Sequence, residues 1–406
     1  MELRTLKIKN IGELVTYNSH LSRLERVSDT EIYIEDGIIV AIGEELGSTD
    51  HEINAGGALV TPGFVDPHTH PVFSETREYE FEMRVAGKSY QEIAEAGGGI
   101  LSSVRSLREI SEDELVKKVA QRMREFLKLG TTTIEAKSGY GLSTKSELKS
   151  LKVLNIVRES MQLDIVPTFL GAHAFPVEFE TDRNAYIDLI CEEMIPAISE
   201  QGIAQFCDVF CEKGWFEVDD ARRILNTAKN YNLGIRMHVD EFADSGGAIL
   251  AAELNATSAD HLMHTSDEGI HNMAESGVTA ILLPATTFFL GESNYAPARK
   301  FIDEDVNVAL ATDFNPGSSM TQSMPFVMTL ACLYLGMNVE EAFIGTTYNS
   351  ARSLNMEDKV GSLEVGKQAD LIIWNLKSLS QIPYWFGGNN IRCVIKCGER
   401  VVDFSD

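Results

Sequence analysis

The chain has 406 residues, of which 44% are hydrophobic and 24% charged, so it can bury one large α/β core with a smaller one and is neither disordered nor fibrous. Its formal net charge of -26 at pH 7 would repel nucleic-acid phosphates and anionic lipids, and we therefore expect no nucleic acid and no membrane among its partners. The N-terminus lacks a continuous apolar signal segment, no later stretch approaches a membrane span, and the 6 cysteines are typical of reduced core residues. These features indicate a cytoplasmic protein.

Short β-branched runs at the two ends of the chain, such as Glu31 to Gly43 and Ala369 to Trp374, differ in character from the middle. Runs of this kind are typical of strands. We predict that both termini together form a small β-sandwich domain, residues 1–57 and 350–406, beside a catalytic domain of residues 58–349.

Between the two ends, apolar strand-like runs alternate with amphipathic helical segments, which predicts a parallel sheet with crossover helices. Ser111 to Glu114 and Thr144 to Glu147 have the pattern of capping boxes at helix starts. Eight runs fit a closed (β/α)8 TIM-like barrel better than an open sheet. The runs are Leu59 to Asp66, Thr131 to Ala136, Asp164 to Gly171, Gln205 to Cys211, Gly234 to Val239, Ala256 to Asp260, Val278 to Leu283 and Val306 to Thr312.

Polar side chains follow almost every predicted strand, at the end where barrel enzymes carry their chemistry. His68 and His70 end the first strand, and because residues i and i+2 of a strand face the same way, they form half of a zinc or iron site. Taken alone, such a pair is also common as surface or core histidines. His238, with Glu241 three residues later, ends the fifth strand, and Asp313 ends the eighth, where an unpaired buried carboxylate would cost several kcal/mol.

At this point the chain resembles the amidohydrolase superfamily. The matching residues are His68 and His70 on strand one, His238 on strand five, His261 on strand six and Asp313 on strand eight. Within that superfamily it is most similar to the enzymes that open the imidazolone ring in histidine degradation. The stretches that carry this similarity are Asp66 to Phe73 with Arg77, Gly87 to Ala94 with Gly97 to Ile100, Glu135 to Leu142, Phe169 to His173, Ser258 to Leu262 and Ala311 to Ser319.

The resemblance implies hydrolysis of the ring carbon–nitrogen bond of 4-imidazolone-5-propanoate to N-formimidoyl-L-glutamate. It implies one Zn²⁺ or Fe³⁺ per subunit, held by His68, His70, His238 and Asp313. Asp313 would also accept a proton from water, Glu241 would bind the ring nitrogen and carry its proton, and His261 would polarise the carbonyl oxygen. It further suggests a homodimer.

The propionate of such a substrate requires a cation, and Arg77 can bind a carboxylate through two N–H groups. The resemblance adds Tyr90, Tyr140, His173, Asn315, Gly317 and Ser318 as substrate contacts. Each has a plainer interpretation, because a lone tyrosine usually packs and an Asn-Pro-Gly-Ser segment is usually a turn.

Two other functions remain open from the sequence. A nucleobase deaminase of the same superfamily shares the metal ligands, although a neutral base needs no carboxylate clamp such as Arg77. A non-catalytic metal-binding scaffold is the alternative of another class. Lys137 follows the second predicted strand, whereas the bridging lysine of binuclear relatives usually comes from the fourth, and we therefore predict a single metal ion.

Overall fold

The computed structural model describes residues 4–88, 92–93 and 96–404. The strands are β1 Thr5–Asn18, β2 Arg23–Glu35, β3 Ile38–Gly43, β4 His51–Pro62, β5 Phe64–Asp66, β6 Thr131–Lys137, β7 Asp164–Ala172, β8 Phe206–Cys211, β9 Gly234–Val239, β10 Ser258–His261, β11 Thr279–Leu282, β12 Val308–Leu310, β13 Leu371–Trp374, β14 Ile391–Lys396 and β15 Glu399–Asp403. The α-helices in the described ranges are Glu78–Val85, Ile100–Glu109, Glu112–Lys128, Thr144–Ser160, Arg183–Leu189, Ile195–Gln201, Val218–Asn230, Gly247–Glu253, Asp267–Ser276, Pro284–Leu290, Ala298–Asp303, Met324–Tyr334, Val339–Gly345, Tyr348–Arg352 and Gln381–Tyr384. A 3₁₀ turn covers Val177–Phe179, and a π-helical turn covers Ile190–Met194.

Strands β5 to β12 form one parallel sheet in which each strand pairs with the next in sequence. The first and last strands meet just beyond their ends, where Thr69 forms a parallel bridge with Phe314. There the Asp313 N–H donates to the His68 carbonyl at 3.1 Å. The predicted (β/α)8 barrel is therefore confirmed, and its closure lies beside the predicted metal ligands.

The run Leu59 to Asp66, predicted as one barrel strand, is divided between two sheets. Its first half belongs to β4, which pairs with β1 and β13, and only its last three residues form barrel strand β5. Gly63 lies at the division and donates its N–H to the Asp370 carbonyl at 3.0 Å. Periodicity could not place this division, because both halves are buried and apolar.

The strands from both termini form a mixed seven-stranded sheet in the order β15-β14-β13-β4-β1-β2-β3, which confirms the composite β domain. Strands β1 and β4 are parallel, and the other neighbours are antiparallel. Ile8, Ile32, Val60, Leu371 and Ile395 belong to its buried apolar core. The division into residues 1–57 with 350–406 and residues 58–349 stays a prediction, and its first boundary falls within β4.

The two predicted capping boxes have different outcomes. Ser111 caps the helix Glu112–Lys128 by accepting the Glu114 N–H at 3.3 Å. The second helix starts one residue earlier than predicted, because its cap is Ser143 and not Thr144. Glu147 therefore does not close a box: it turns inward and accepts N–H groups from the loop that carries Tyr140. Among the described residues, no helix has both the length and the apolar composition needed to cross a membrane.

Gly63 offers a test of how tightly the two sheets are joined. A Cβ on Gly63 would lie 2.2 Å from Thr132 Oγ1 and 2.4 Å from its Cγ2, although the Gly63 φ angle itself is not unusual. We expect Gly63→Ala to lower the free energy of unfolding by about 2–3 kcal/mol through overpacking. Thr132→Ala removes both atoms, so the double variant should regain part of that loss, as urea unfolding would measure. Additive losses would contradict this steric explanation.

Candidate metal centre and active site

Four ligand atoms from three strand ends converge at the carboxyl end of the barrel. His70 Nε2 lies 3.2 Å from His68 Nε2 and 3.4 Å from His238 Nε2. Asp313 Oδ1 lies 3.4 Å from both His68 Nε2 and His70 Nε2. All four side chains are buried. The structure thus brings together four residues that are separated by up to 245 positions in the sequence.

The spacing of these atoms fits a first-row metal ion. Ligand atoms placed tetrahedrally at a zinc–nitrogen bond length of ~2.0–2.1 Å lie about 3.3–3.4 Å apart. Imidazole nitrogens with one carboxylate oxygen suit zinc, iron, manganese or nickel. His68 also belongs to a second group with His238 and His261, whose ligand atoms lie within 4.8 Å of one another.

Two buried aspartates orient these histidines. Asp260 Oδ2 lies 2.6 Å from His68 Nδ1, and Asp208 Oδ1 lies 3.1 Å from His238 Nδ1. A carboxylate on Nδ1 holds the proton there and leaves Nε2 free to bind a metal. Neither aspartate was predicted from the sequence. The signal for Asp208 was a charged residue inside an otherwise apolar strand, and the signal for Asp260 was a carboxylate directly before His261 at a strand end.

Without a metal, the centre favours a protonated His68 beside an ionised Asp313. Burial and the Lys137 ammonium oppose charge on His68, but Asp260 and Asp313 outweigh them and raise its pKa to about 9. Burial also opposes charge on Asp313, yet hydrogen bonds from His68 and His70 hold its pKa well below the usual range. A cation that displaces this proton meets a carboxylate already ionised.

Asp313 has an unusual backbone conformation, and its carboxylate is held by Thr286, which was not predicted from the sequence. Its φ angle is +51°, in the left-handed region where non-glycine residues are uncommon. Thr286 Oγ1 donates to Asp313 Oδ2 at 2.6 Å, so Oδ1 faces the histidines. The only sequence signal for Thr286 was the polar Thr286-Thr287 pair after the seventh strand.

Glu241 and His261 lie beside the four ligand atoms. Glu241 Oε1 is 3.7 Å from His261 Nδ1, an atom without a hydrogen-bond partner among the described residues. Burial and then the nearby Asp313 raise the pKa of Glu241 to about 8, whereas burial lowers the pKa of His261 well below its usual value. The arrangement offers a carboxyl group that can hold a proton near neutral pH and a neutral imidazole.

The loop that carries Glu241 is held by two neighbouring carboxylates. Asp240 accepts hydrogen bonds from Ser245 N at 3.1 Å and from Thr265 Oγ1 at 2.9 Å. Glu212, which directly follows β8, accepts the Phe242 N–H at 3.0 Å. Because the residues on both sides of Glu241 are anchored, its carboxyl group has a defined position.

Arg77 does not stand free in the site. Its Nε and Nη2 donate to the two carboxylate oxygens of Glu80 at 2.8 and 2.7 Å. Gly317 packs directly against it, because a Cβ there would lie 2.8 Å from Arg77 Nη1. A substrate carboxylate could therefore use only the remaining Nη edge. The pairing with Glu80 was not predicted from the sequence, although the Arg-x-x-Glu spacing at a helix start indicates it.

His173 and Tyr140 lie against the metal centre. The His173 ring stacks on His70 at 5.1 Å between centroids, and its Nδ1 bonds the Gly139 carbonyl at 3.0 Å, which leaves Nε2 for another partner. The Tyr140 ring lies 5.3 Å from His173. Tyr140 is buried, and burial raises the pKa of its hydroxyl, which therefore remains a donor.

The side chains of the segment after β12 are engaged with one another. Asn315 Oδ1 accepts the N–H groups of Gly317 and Ser318, both at 2.8 Å, and its Nδ2 donates to the Asp313 carbonyl at 2.7 Å. This is the turn that the plainer interpretation of the sequence favoured. It positions Asp313 and Gly317 and leaves Asn315 little free hydrogen-bonding capacity. Tyr90 lies outside the described residues.

The raised pKa of Glu241 makes a prediction about stability. Between its ordinary pKa of 4.5 and about 8, the folded metal-free protein keeps a proton that the unfolded chain has released, so stability falls as pH rises through that range. Glu241→Gln removes this titration. We expect the unfolding free energy of the variant to exceed that of the parent protein by an amount that grows by about 2 kcal/mol between pH ~5 and ~9. Each unit by which a pKa differs between the folded and unfolded states represents ~1.4 kcal/mol, and the expected gain is set below the full sum for this shift. Urea unfolding of chelator-treated protein measures it, and a constant difference across pH would refute it.

Comparisons with known proteins identify the family of the chain. Residues 59–401 match the model of the amidohydrolase family. The imidazolonepropionase of Geobacillus thermodenitrificans is 46% identical, with 99% of each chain covered, and that of Desulfotalea psychrophila is 49% identical, with 93% of each covered. A zinc-bound adenosine deaminase from Xanthomonas campestris superposes with a TM-score of 0.77 at 19% identity over 98% of this chain and 93% of its own, which shows the shared fold. The chain belongs to the amidohydrolase family and, within it, to the imidazolonepropionases.

Proposed function

We propose that the protein hydrolyses the ring carbon–nitrogen bond of 4-imidazolone-5-propanoate to N-formimidoyl-L-glutamate, a step of histidine degradation in the cytoplasm. The observation that carries this proposal is a buried cluster of possible metal ligands, His68, His70, His238 and Asp313, with Glu241 and His261 beside it, in a chain similar over its whole length to imidazolonepropionases. The hydrolysis adds water across the bond: the carbonyl carbon gains the water oxygen, and the ring nitrogen leaves with a proton.

His68, His70, His238 and Asp313 would hold one Zn²⁺ or Fe³⁺ per subunit. When bound, the ion lowers the pKa of water and acts as a Lewis acid. The protein contributes the geometry, because Asp260, Asp208 and Thr286 each hold one of these ligands by its other polar atom.

Proton transfer falls to the two carboxyl groups. Asp313 accepts the proton of the attacking water, and Thr286 keeps its carboxylate oriented by donating to Oδ2. Glu241 passes a proton to the leaving ring nitrogen, for which a pKa of about 8 is close to the optimum at neutral pH. His261 donates towards the carbonyl oxygen as negative charge develops on it.

The substrate propionate would bind the edge of Arg77 that Glu80 leaves free. Tyr140, and Tyr90 by resemblance, would add hydroxyl donors, and His173 would contribute its free Nε2. The turn of Asn315, Gly317 and Ser318 would form the wall of the pocket on the Arg77 side.

One assay tests the reaction. Metal-loaded protein is incubated with imidazolone propionate while the ring chromophore is followed, with chelator-treated protein as the control. Loss of the chromophore only with metal present is expected. No turnover, together with ammonia release from a nucleobase, would instead support the deaminase alternative.

Removing Arg77 separates substrate binding from metal binding. We expect Arg77→Ala to raise the KM for imidazolone propionate by about 10–100-fold, because a charge-assisted pair worth ~1.5–3 kcal/mol is lost. Metal content should stay unchanged, since Arg77 contacts none of the four ligands. Arg222→Ala, which removes an exposed arginine paired with Glu253, is the control. An equal loss of metal in Arg77→Ala would exclude the proposed role.

We further propose that the protein forms a homodimer through an exposed aromatic face, defined by Phe288, Leu333, Tyr334, Tyr384 and Trp385. These residues are 47–76% exposed. Leu333 and Tyr334 lie on the helix Met324–Tyr334, which contains no charged residue, and Phe288 and Tyr384 lie on helices that contact it. Exposed apolar side chains that are grouped in this way are typical of an interaction site, and a second copy of the chain would cover them symmetrically.

A charge placed in the aromatic face should disrupt the dimer. We expect Leu333→Asp to shift the protein from dimer to monomer, because the carboxylate would be buried without a partner in the interface. Val365→Asp is the matched control, since Val365 is similarly exposed but lies outside this face. Sedimentation equilibrium measures both variants. A dimer that survives Leu333→Asp, or a parent protein that is monomeric, would refute the proposed interface.

A further inference from the structure

We propose that Lys137 is a positioning residue that joins the two halves of the metal centre and thereby sets its affinity for metal. Its ammonium group is fully buried and donates to Glu135 Oε1 and to Asp208 Oδ2, each at 2.8 Å. This inference rests on the metal centre of the proposed function but is independent of the substrate.

Glu135 and the Lys137 backbone hold the first half, the peptide between His68 and His70. Glu135 Oε2 accepts the Thr69 N–H at 3.2 Å, and Thr69 Oγ1 donates to the Glu135 carbonyl at 2.6 Å. The Lys137 N–H donates to the Thr69 carbonyl at 3.0 Å. The orientation of both histidines therefore depends on the segment from 135 to 137.

Asp208 holds the second half. Its Oδ1 bonds His238 Nδ1 at 3.1 Å, while Oδ2 bonds the Lys137 ammonium. An aspartate bonded through both oxygens cannot rotate, so the His238 ring keeps the orientation that directs Nε2 at the other ligands. Lys137 thus bonds to the carboxylate behind each half.

Charge explains why a cation is needed at this point. Glu135 and Asp208 are both fully buried, and two unpaired carboxylates there would cost several kcal/mol and repel each other. Burial disfavours charge on Lys137, but Asp208 and Glu135 outweigh it and raise its pKa. The ammonium therefore stays charged. It neutralises both acids and fixes the spacing between β6 and β8.

The chain contains a matched control elsewhere. Lys396 is also buried, and its Nζ also bonds two carboxylates, Asp164 Oδ2 and Asp370 Oδ2, each at 2.5 Å. Asp164 begins β7, so this cluster lies at the opposite end of the barrel from the metal centre. Loss of Lys396 would remove a comparable ion cluster without touching a metal ligand.

The experiment compares Lys137→Met with Lys396→Met. Zinc affinity is measured by chelator competition, and the unfolding free energy of the metal-free proteins by urea. Both variants should lose stability, but only Lys137→Met should bind zinc more weakly, by about 10–100-fold. Unchanged zinc affinity in Lys137→Met, or an equal loss in Lys396→Met, would overturn the proposal. Neither readout needs substrate, so failure of the proposed reaction would be distinguishable.

A second set of variants applies if Lys137→Met does not fold. Glu135→Gln and Asp208→Asn each keep one carboxylate for Lys137. If the ammonium couples the two halves, their effects on zinc affinity should be non-additive by about threefold or more in the double variant. Cobalt-substituted Asp208→Asn should also show an altered visible absorption spectrum, because the His238 ring is less constrained. Additive effects with an unchanged cobalt spectrum would overturn the proposal.

Discussion

The hydrogen bond from the Asp313 N–H to the His68 carbonyl closes the barrel and the metal centre together. Without it, the first and eighth strands would not bring their ligands to the same place. The neighbouring Thr69 and Phe314 bridge extends the closure, so the His-x-His peptide is held from both sides. The positive φ of Asp313 is a local cost of this geometry, and the many contacts around the residue sustain it.

Beneath the centre, the barrel interior contains charged groups where many barrels contain aliphatic layers. Arg236 adds to the Lys137 cluster by donating to the carbonyls of Pro67 and Ser353, with Asp260 3.7 Å away. Such groups are tolerated because nearly every charge faces an opposite charge or a backbone dipole. The arrangement is rigid, and rigidity suits a site whose ligands must be held to within a few tenths of an ångström.

The Arg77–Glu80 pair changes how the proposed carboxylate pocket is understood. A buried guanidinium without substrate would be an unpaired charge, and Glu80 removes that cost. Glu80 also accepts the Gly99 N–H at 2.8 Å, which ties the pocket to the glycine-rich segment. Because Glu80 occupies part of the guanidinium, fewer N–H groups of Arg77 are free for a substrate. Substrate selection therefore depends on one edge of Arg77 and on the wall formed at Gly317.

Prediction from sequence succeeded where a feature of the structure depends on residues that are close together in the chain. Apolar runs separated by amphipathic helices indicated eight parallel strands, and polar residues at strand ends indicated where the chemistry lies. Prediction failed where the signal depended on a partner distant in sequence. The division of a strand at Gly63 is set by close packing on Thr132, and Glu147 faces a loop instead of closing a cap because three N–H groups there need an acceptor.

Periodicity and ligand chemistry are local properties of the chain, and they were enough to indicate the barrel, the β structure built from both termini and the residue types able to bind a metal. Only the folded chain shows that His70 Nε2 lies 3.2–3.4 Å from the ligand atoms of His68, His238 and Asp313. It also decided which oxygens of Asp208, Asp260 and Thr286 hold those ligands, and that Arg77 is paired with Glu80. The physical reason is that orientation in a buried polar site depends on hydrogen bonds between strands, which no pattern along one strand contains.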